Sequence, residues 1–155
     1  MKLIIGIGNP GIDYKDTRHN VGHMLIDQLL KEKLKGAVAR KTDVFMNQSG
    51  EFVKKMVTGH KLLTTDLYIV HDDLDILLGE YKIQFGRGPK DHNGLRSIDD
   101  SLGTDEYWHV RIGVDNRPTD NRPMGEEYVL QNFSDEEKVI IDRTIKEACK
   151  KLATL

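Results

Sequence analysis

Short apolar runs along the chain alternate with segments in which apolar residues recur at helical spacing. Residues 2–7 form a run typical of a short buried strand, and the turn-forming sequence Gly8-Asn9-Pro10-Gly11 follows it. From Asn20 onward, apolar residues recur every three or four positions, as on one face of a helix. The densest apolar run, residues 67–70, has the composition of a buried parallel strand. Polar residues therefore follow each of two predicted strands.

The rest of the chain continues this alternation of strands and helices. The further predicted elements are a weak strand (43–46), a helix (49–59), a half-exposed strand (80–85), a short helix (93–102), a strand (107–114) and a final helix. The final helix begins at a capping box formed by Ser134 and Glu137. Residues 115–125 contain two Pro and two Asn and are predicted to be a surface loop. The order of elements predicts an α/β domain with a largely parallel sheet and an antiparallel edge at 80–85.

Composition and charge limit the class of protein. The 155 residues are 38% hydrophobic and 31% charged, with a formal charge of −2, which suits one ordinary globular domain. The single cysteine, Cys149, excludes an intramolecular disulfide and a multi-cysteine zinc site, and it suits a reducing compartment. No apolar run is long enough to span a bilayer, and Met1-Lys2 leads directly into a strand pattern. We therefore expect a cytoplasmic protein whose surface does not bind nucleic acid throughout.

The glycines after the first strand permit two interpretations. Gly6-Ile7-Gly8-Asn9-Pro10-Gly11 satisfies the G-x-G-x-x-G pattern of dinucleotide sites. The predicted helix begins about nine residues too late for such a site, and no second strand ending in an acid follows at the required distance. A sharp turn after the strand explains the same glycines, so a nucleotide-dependent enzyme is the less favoured alternative.

Two polar motifs are expected at the carboxyl edge of the sheet, where ligands of open α/β folds bind. Thr17-Arg18-His19-Asn20 places a histidine beside the first helix, where it could act as a general base if a carboxylate fixes its tautomer. His71-Asp72-Asp73-Leu74-Asp75 supplies carboxylates at the same edge. Helix capping, a structural turn and a Mg²⁺ site are the alternatives for these motifs. His19 and His23 have a metal-compatible spacing but no evident third ligand.

Amide side chains and basic residues add two further features. Four loop amides, which could stabilise an oxyanion, are Asn9, Asn20, Asn47 and Asn93. Neither Cys149 nor any serine stands in a nucleophile motif, so hydrolysis by activated water fits better than acyl-enzyme chemistry. Seven basic residues between 80 and 122 form either a solvated surface or a local phosphate-binding patch: Lys82, Arg87, Lys90, Arg96, Arg111, Arg117 and Arg122.

Taken in order, the motifs resemble the signature of the bacterial-type peptidyl-tRNA hydrolases over nearly the whole chain. The matching blocks are Gly6–Gly11 with Tyr14, Thr17–Gly22, Phe45–Gly50, His71–Asp75, His92–Ile98, Arg111–Gly113 and Tyr128–Ser134. The resemblance implies a single-domain, three-layer α/β sandwich over residues 1–155, with a mostly parallel mixed sheet and helices on both faces. The implied reaction is hydrolysis of the ester between the peptide and the 3′ ribose of tRNA, which recycles tRNA during translation.

The resemblance also implies roles for individual residues. For catalysis, it implies that His19 is the base that activates water, that Asp72 fixes its tautomer, and that Asn9 and Asn93 are substrate and oxyanion ligands. For substrate binding, it implies that Asn47 binds the peptide backbone, that Tyr14 and Met46 line the site, and that Arg111 contacts tRNA phosphate. No metal or organic cofactor is implied. The expected partner is the acceptor end of peptidyl-tRNA, with no membrane, and the protein is expected to be a monomer.

Three departures from the family pattern affect substrate binding. Only 28 positions separate His19 from Asn47, so a part of the sheet edge or groove wall equivalent to about a strand pair is expected to be missing. Lys90-Asp91 stands where the family has two glycines, which suggests a different course for this loop. Gln84 replaces a typically basic residue. These differences keep open an alternative function, a tRNA- or ribosome-binding module with little turnover.

Overall fold

A computed structural model describes residues 1–155 and contains ten regular helices and strands. They are β1 (Lys2–Gly6), α1 (Val21–Glu32), β2 (Ala37–Lys41), α2 (Ser49–Gly59), β3 (Leu67–Leu77), β4 (Tyr81–Phe85), α3 (Asn93–Leu102), β5 (Trp108–Asp115), α4 (Gly125–Tyr128) and α5 (Asp135–Leu152). Short 3₁₀ turns lie at Arg18–Asn20, Met46–Gln48 and Thr64–Asp66. None of the helices combines the length and the apolar character that a membrane span requires.

One five-stranded sheet, in the order β2-β1-β3-β5-β4, organises the fold. The first four strands in that order are parallel, and β4 pairs with β5 in the antiparallel sense at the edge. This arrangement confirms the predicted mostly parallel sheet and its antiparallel edge at 80–85. The parallel strands bring several strand-to-helix connections to the carboxyl edge of the sheet.

Both faces of the sheet are covered by helices, which explains why the central strands are apolar without alternation. In β1, Ile4 packs in the cluster under α1 and α5, whereas Leu3 and Ile5 pack in the cluster under α2 and α3. A strand buried on both sides needs apolar residues at successive positions. The three-layer sandwich is therefore confirmed.

The final helix forms as the sequence predicts. Ser134 Oγ accepts a hydrogen bond from the Glu137 backbone N–H at 3.1 Å, and Glu137 Oε1 accepts one from the Ser134 N–H at 2.9 Å. Four residues of its apolar face are all nearly or fully buried against the sheet: Ile141, Ile145, Ala148 and Leu152. The capping box thus begins α5 at the position from which this face packs on the core.

Two strand predictions need correction. The strand expected at 43–46 is absent, and β2 lies instead at Ala37–Lys41. Phe45 lies exposed at a surface groove, and Met46 enters the cluster under α2 and α3 from a 3₁₀ turn, so their apolar character does not mark a strand. The second correction concerns β3, which continues to Leu77, so that the acidic motif 71–75 lies within the strand and does not follow it. Partners on neighbouring elements satisfy the polar groups there, which permits a strand in spite of its charge.

Close packing explains the glycines at the end of β1. A Cβ atom on Gly6 would lie 2.2 Å from the Gly22 carbonyl oxygen, and one on Gly22 would lie 2.4 Å from the Val70 carbonyl oxygen. Helix α1 therefore crosses β1 and β3 at a distance that only glycine allows. The glycine pattern serves this contact, in agreement with the structural interpretation and not with a dinucleotide site.

The close contact predicts the effect of Gly22→Ala. We expect the substitution to lower the free energy of unfolding by about 1–3 kcal/mol, because the carbonyl groups it meets cannot move without shifting two strands. Gly59→Ala is the matched control, since a Cβ atom there meets nothing within 4 Å. That variant should be neutral or up to about 1 kcal/mol more stable. Urea unfolding measures both, and equal midpoints for the two variants would contradict the packing argument.

Candidate active site

A groove of about 940 Å³ opens at the carboxyl edge of the sheet. Seven of the eight site residues predicted from the sequence line it: Asn9, Tyr14, His19, Met46, Asn47, Asp72 and Asn93. They come from the connection after β1, the turns before α1 and α2, strand β3 and the first residue of α3. Residues far apart in the sequence thus meet at one place because parallel strands end on the same side.

The centre of the groove is a carboxylate that two imidazoles share. His19 Nδ1 lies 3.0 Å from Asp72 Oδ1 and 2.9 Å from Oδ2, and His92 Nε2 lies 2.8 Å from Oδ1. Asp72 is 1% exposed. Burial alone would raise the pKa of Asp72, but the charges and hydrogen bonds of the two imidazoles hold it well below its usual range.

The backbone of α3 fixes the tautomer of His92. Its Nδ1 accepts hydrogen bonds from the backbone N–H groups of Gly94 at 3.1 Å and Leu95 at 3.3 Å, so that the side chain caps the helix. Because Nδ1 is an acceptor, the ring proton is on Nε2, which donates to Asp72. Asp72 therefore receives one donor from the residue that precedes α3.

Asp72 in turn sets the state of His19. The ionised carboxylate accepts from His19 Nδ1–H, so Nε2 of the neutral ring carries a lone pair. Nε2 makes no hydrogen bond within the protein, and His19 lines the groove. Burial lowers the pKa of His19, but the charge and hydrogen bond of Asp72 outweigh it, so the pKa is raised above 6.5. This arrangement provides a base at the groove whose orientation is fixed.

The same three side chains, His19, Asp72 and His92, are of the types that bind metal ions. Tetrahedral zinc with bonds of about 2.0–2.1 Å holds its ligand atoms about 3.3 Å apart. The nitrogen–oxygen distances here are 2.8 to 3.0 Å, those of direct hydrogen bonds. The geometry fits a proton between each pair better than a metal ion.

The amide of Asn9 presents a free donor to the groove. Asn20 holds the backbone of Asn9 through two hydrogen bonds, from Asn9 N–H at 2.9 Å and to Asn9 C=O at 2.8 Å. Asn9 Oδ1 accepts from the Met46 N–H at 2.7 Å. Because a backbone N–H can only donate, this contact identifies the oxygen, and the side-chain NH₂ has no partner in the protein.

Asn93 is oriented in a comparable way. Its Oδ1 accepts from Arg96 Nη1 at 3.2 Å, and a guanidinium can only donate, so the NH₂ group of Asn93 is the free end. Arg96 is itself held by Asp91 at 2.7 Å. The two amides that the sequence singled out thus both leave donors available beside His19.

An apolar wall stands on the Asn9 side of the groove. Tyr14 and Phe45 pack edge to face, with ring centroids 6.3 Å apart, and Met46 lies nearly buried behind them. Phe45 is 51% exposed, and Asn47 is also exposed beside it. This wall offers apolar surface next to a polar amide.

Arg111 is the predicted site residue that the structure does not bring to the groove. It is 6% exposed, its Nε donates to Asp73 Oδ2 at 2.7 Å, and its Nη1 donates to Gln84 Oε1 at 2.7 Å. A phosphate would have to compete with a buried ion pair for the guanidinium. The contact between Arg111 and tRNA phosphate expected from the sequence stays a prediction, while the structure shows Arg111 in the β3–β5 and β4–β5 contacts.

The loop before α3 accommodates Lys90 and Asp91 without the backbone conformations that would require glycine. Neither Lys90 nor Asp91 has a positive φ, so glycine is not required at either position. The backbone N–H of Lys90 donates to Asp75 Oδ2 at 3.0 Å, which ties this loop to β3. The replaced glycines thus change the loop without removing His92 and Asn93 from the groove.

Sequence reasoning assigned no role to His92 or Arg18. His92 directly precedes a predicted helix, and that capping position was the signal available for it. Arg18 is almost completely buried and bound to Glu137 of α5 at 2.8 Å, a contact across 119 residues that no local pattern reveals. His92 contacts Asp72 directly, and Arg18 precedes His19 in the same 3₁₀ turn.

Comparison with known proteins gives a consistent result. The family model described as "Peptidyl-tRNA hydrolase" matches residues 3–155. A peptidyl-tRNA hydrolase of Geobacillus thermodenitrificans is 35% identical over 176 aligned positions, covering 99% of this chain and 94% of the relative. One from Sulfurovum sp. is 38% identical over 171 positions, covering 98% and 89%. Both alignments are longer than the chain of 155 residues, so each relative has residues without a counterpart here.

Solved structures show the same relationship. The crystal structure of a peptidyl-tRNA hydrolase from Acinetobacter baumannii superposes with a TM-score of 0.82 at 28% identity, covering 97% of this chain and 86% of that one. The endopeptidase HycI from Escherichia coli, at 14% identity and a TM-score of 0.55, shares the fold alone. By family model, relatives and structure, this chain belongs to the peptidyl-tRNA hydrolase family, whose function is the hydrolysis of peptidyl-tRNA.

Proposed function

We propose that this chain hydrolyses the ester between the peptide and the 3′ ribose of peptidyl-tRNA, with His19 as the general base. The observation that carries the proposal is the hydrogen bond from His19 Nδ1 to the buried Asp72, which leaves Nε2 free at the groove. His19 takes a proton from water as the hydroxide attacks the ester carbonyl carbon. The imidazolium then gives that proton to the departing 3′ oxygen, which yields a free peptide carboxylate and tRNA with a 3′ hydroxyl.

The free amide donors of Asn9 and Asn93 supply the electrostatic part of catalysis. The tetrahedral intermediate places a negative charge on the former carbonyl oxygen, and oriented uncharged donors stabilise that charge. Both side chains line the groove beside His19 and both have their oxygen atoms engaged elsewhere. Their NH₂ groups are therefore directed by the fold before substrate binds.

Activated water is favoured because the candidate nucleophiles are committed to other contacts. Cys149 is fully buried between α1 and α5, where burial and the nearby Glu32 raise its pKa to about 12. Ser49 Oγ donates to the Met46 carbonyl at 2.7 Å, and Ser97 Oγ accepts from the Gly50 N–H at 2.9 Å. Neither serine has a base among its hydrogen-bond partners, and Cys149 lies outside the groove.

The lining also supports an orientation for the substrate. Tyr14, Met46 and Asn47 offer an apolar wall and an amide, which suit the peptide and its backbone. The acceptor end of the tRNA then occupies the remainder of the groove. The groove belongs to the one domain over residues 1–155. A monomer stays our expectation, and a tRNA substrate is consistent with action in the cytoplasm.

A tRNA-binding module with little turnover is the second candidate. It is motivated by the departures from the family pattern near the groove, which are the short segment between His19 and Asn47 and the Lys90-Asp91 pair in place of two glycines. The two candidates share the fold and the groove. They differ in whether bound peptidyl-tRNA is cleaved.

His19→Ala provides the direct test. We expect single-turnover release of peptide from peptidyl-tRNA to fall by about 10²–10⁴-fold, the usual contribution of a general base. His60→Ala is the matched control, because His60 lies at the end of α2 outside the groove. Wild-type turnover in His19→Ala would contradict the assignment of the base. Wild-type protein that binds peptidyl-tRNA, cleaves neither it nor a free N-acyl amino-acid ester, and folds normally would favour the binding module.

The pH dependence tests the interaction between Asp72 and His19. Because the base must be neutral, kcat/KM should rise with pH through the raised pKa of His19. Asp72→Asn removes the negative charge that favours the imidazolium, so the rise should move to lower pH while the plateau falls by at least about tenfold. Asp100→Asn, on the exposed face of α3, should change neither. An unmoved acid limb in Asp72→Asn would refute the electrostatic role.

Salt dependence tests how much of the binding is electrostatic. Of the seven basic residues between 80 and 122, three form no ion pair: Lys82, Arg87 and Lys90. We expect the logarithm of the tRNA association constant to fall against that of the salt concentration with a slope of about −2 to −3. Measured on the His19→Ala protein, Lys82→Ala should reduce this slope by about one unit, and Arg122→Ala, whose side chain is paired with Asp115, should reduce it less. A slope steeper than about −5 would contradict this account.

A further inference from the structure

Arg18 is a buried cation with several partners around α4 and α5. Its Nη2 donates to Glu137 Oε1 at 2.8 Å, and its Nη1 donates to the Tyr128 carbonyl at 3.1 Å. The guanidinium carbon also lies 3.8 Å from the centre of the Tyr128 ring. The side chain is 8% exposed. A cation buried to this extent is stable only while these partners stay in place.

Glu137 links Arg18 to two other parts of the chain. Its Oε1 also accepts from the Ser134 N–H at 2.9 Å, and its Oε2 accepts from Asn116 Nδ2 at 3.1 Å. The capping box of α5, the segment after β5 and the turn that carries His19 therefore meet at one carboxylate. The hydrogen bonds to Glu137 keep its pKa low against the effect of burial, so it stays ionised opposite Arg18.

The backbone around Arg18 is held by the segment that precedes α5. The Arg18 N–H donates to the Gln131 carbonyl at 3.1 Å, and the His19 N–H donates to the Val129 carbonyl at 2.8 Å. Thr17 and Asn132 form an isolated antiparallel bridge. Residues 128–133 thus lie along the turn 16–19 and fix the backbone from which the His19 side chain projects.

We propose that Arg18, anchored by Glu137, is a positioning residue that holds His19 at its working distance from Asp72. This inference rests on the proposed function in treating His19 as the base. His19 is held at its ring by β3 and α3 through Asp72, and at its backbone by residues 128–133. Arg18 donates hydrogen bonds to two carbonyls of this segment and to Glu137 of α5. It therefore determines where the backbone of His19 lies relative to Asp72, which holds the ring.

The sensitivity of catalysis to geometry gives the expected size of the effect. A displacement of a catalytic group by about 1 Å can cost on the order of a hundredfold in rate. Lysine in place of Arg18 keeps the charge but presents one nitrogen, so it cannot contact the carboxylate and both carbonyls together. Glutamine in place of Glu137 keeps the shape but removes the charge that opposes Arg18. Each variant weakens the attachment without touching the groove.

Arg18→Lys and Glu137→Gln test the proposal, with Ser134→Ala as the matched control. Ser134→Ala removes the side-chain cap of α5 and lowers the Tm, but it leaves Arg18 and Glu137 in contact. We expect kcat to fall about tenfold in the first two variants, with KM changed less than about twofold, and to stay at the wild-type value in the control, all measured well below the Tm. Glu137→Gln decides the matter if Arg18→Lys does not fold.

A second readout separates positioning from general stability. NMR titration gives the pKa of the His19 imidazole, whose signal is the one missing from His19→Ala. The titratable groups facing this ring are Asp72 from β3 and His92, which directly precedes α3. A ring displaced from Asp72 loses the attraction that raises its pKa, so the pKa should fall in Arg18→Lys and Glu137→Gln and not in Ser134→Ala.

The outcomes are distinguishable. Unchanged kcat and an unchanged His19 pKa in both variants, even with a lowered Tm, would overturn the proposal and leave Arg18 as an anchor of the fold. If wild-type protein does not release peptide from peptidyl-tRNA, the proposed function fails. The NMR pKa then still decides whether Arg18 positions His19.

Discussion

Asp72 carries a negative charge at 1% exposure, and an ion buried to this extent is stable only where donors replace the water it has lost. The donors are His19 Nδ1 and His92 Nε2, which come from opposite sides of β3 in the sequence. Each is fixed by its own backbone contacts, His92 by the first amides of α3 and His19 by Val129. The charge therefore requires the first turn, the third strand and the third helix to be correctly placed at once, and the free nitrogen of His19 is a consequence of that requirement.

The close crossing of α1 over the sheet helps to place the turn that carries His19 next to Asp72. Gly22 allows the helix to approach β3 so closely that the turn before it reaches Asp72, and Asn20 in that turn holds the backbone of Asn9. The proposed base and one proposed oxyanion donor are thus positioned by the same three-residue turn, Arg18–Asn20. An enzyme that activates water depends on such placement, because no covalent bond to the protein holds the substrate during the reaction.

The sequence predicted those parts of the fold that depend on local pattern. Helix α2 has the predicted bounds, and the polar residues of β1 and β3 meet at one edge as parallel strands require. The predicted strand at 43–46 was wrong because Phe45 lines the groove and Met46 reaches the core from a 3₁₀ turn. His92 and Arg18 could not be assigned, because their partners, Asp72 and Glu137, lie 20 and 119 positions away and are chosen by packing. The burial of Arg111 depends in the same way on Asp73 in the adjacent strand.

A sequence does not show whether its basic residues bind RNA phosphate or form ion pairs within the protein. Seven basic residues between 80 and 122 suggest a phosphate-binding surface, yet the structure uses Arg111, Arg117 and Arg122 to hold Asp73 and Asp115. The composition of a sequence and the spacing of its arginines are the same whether those arginines order a loop or bind phosphate. With four of these seven residues in ion pairs and a net charge of −2, the protein produces little long-range attraction for RNA. We therefore expect selection of a substrate to depend on contacts made inside the groove, where the fixed amides and the apolar wall offer an ester-linked peptide contacts that bare tRNA cannot make.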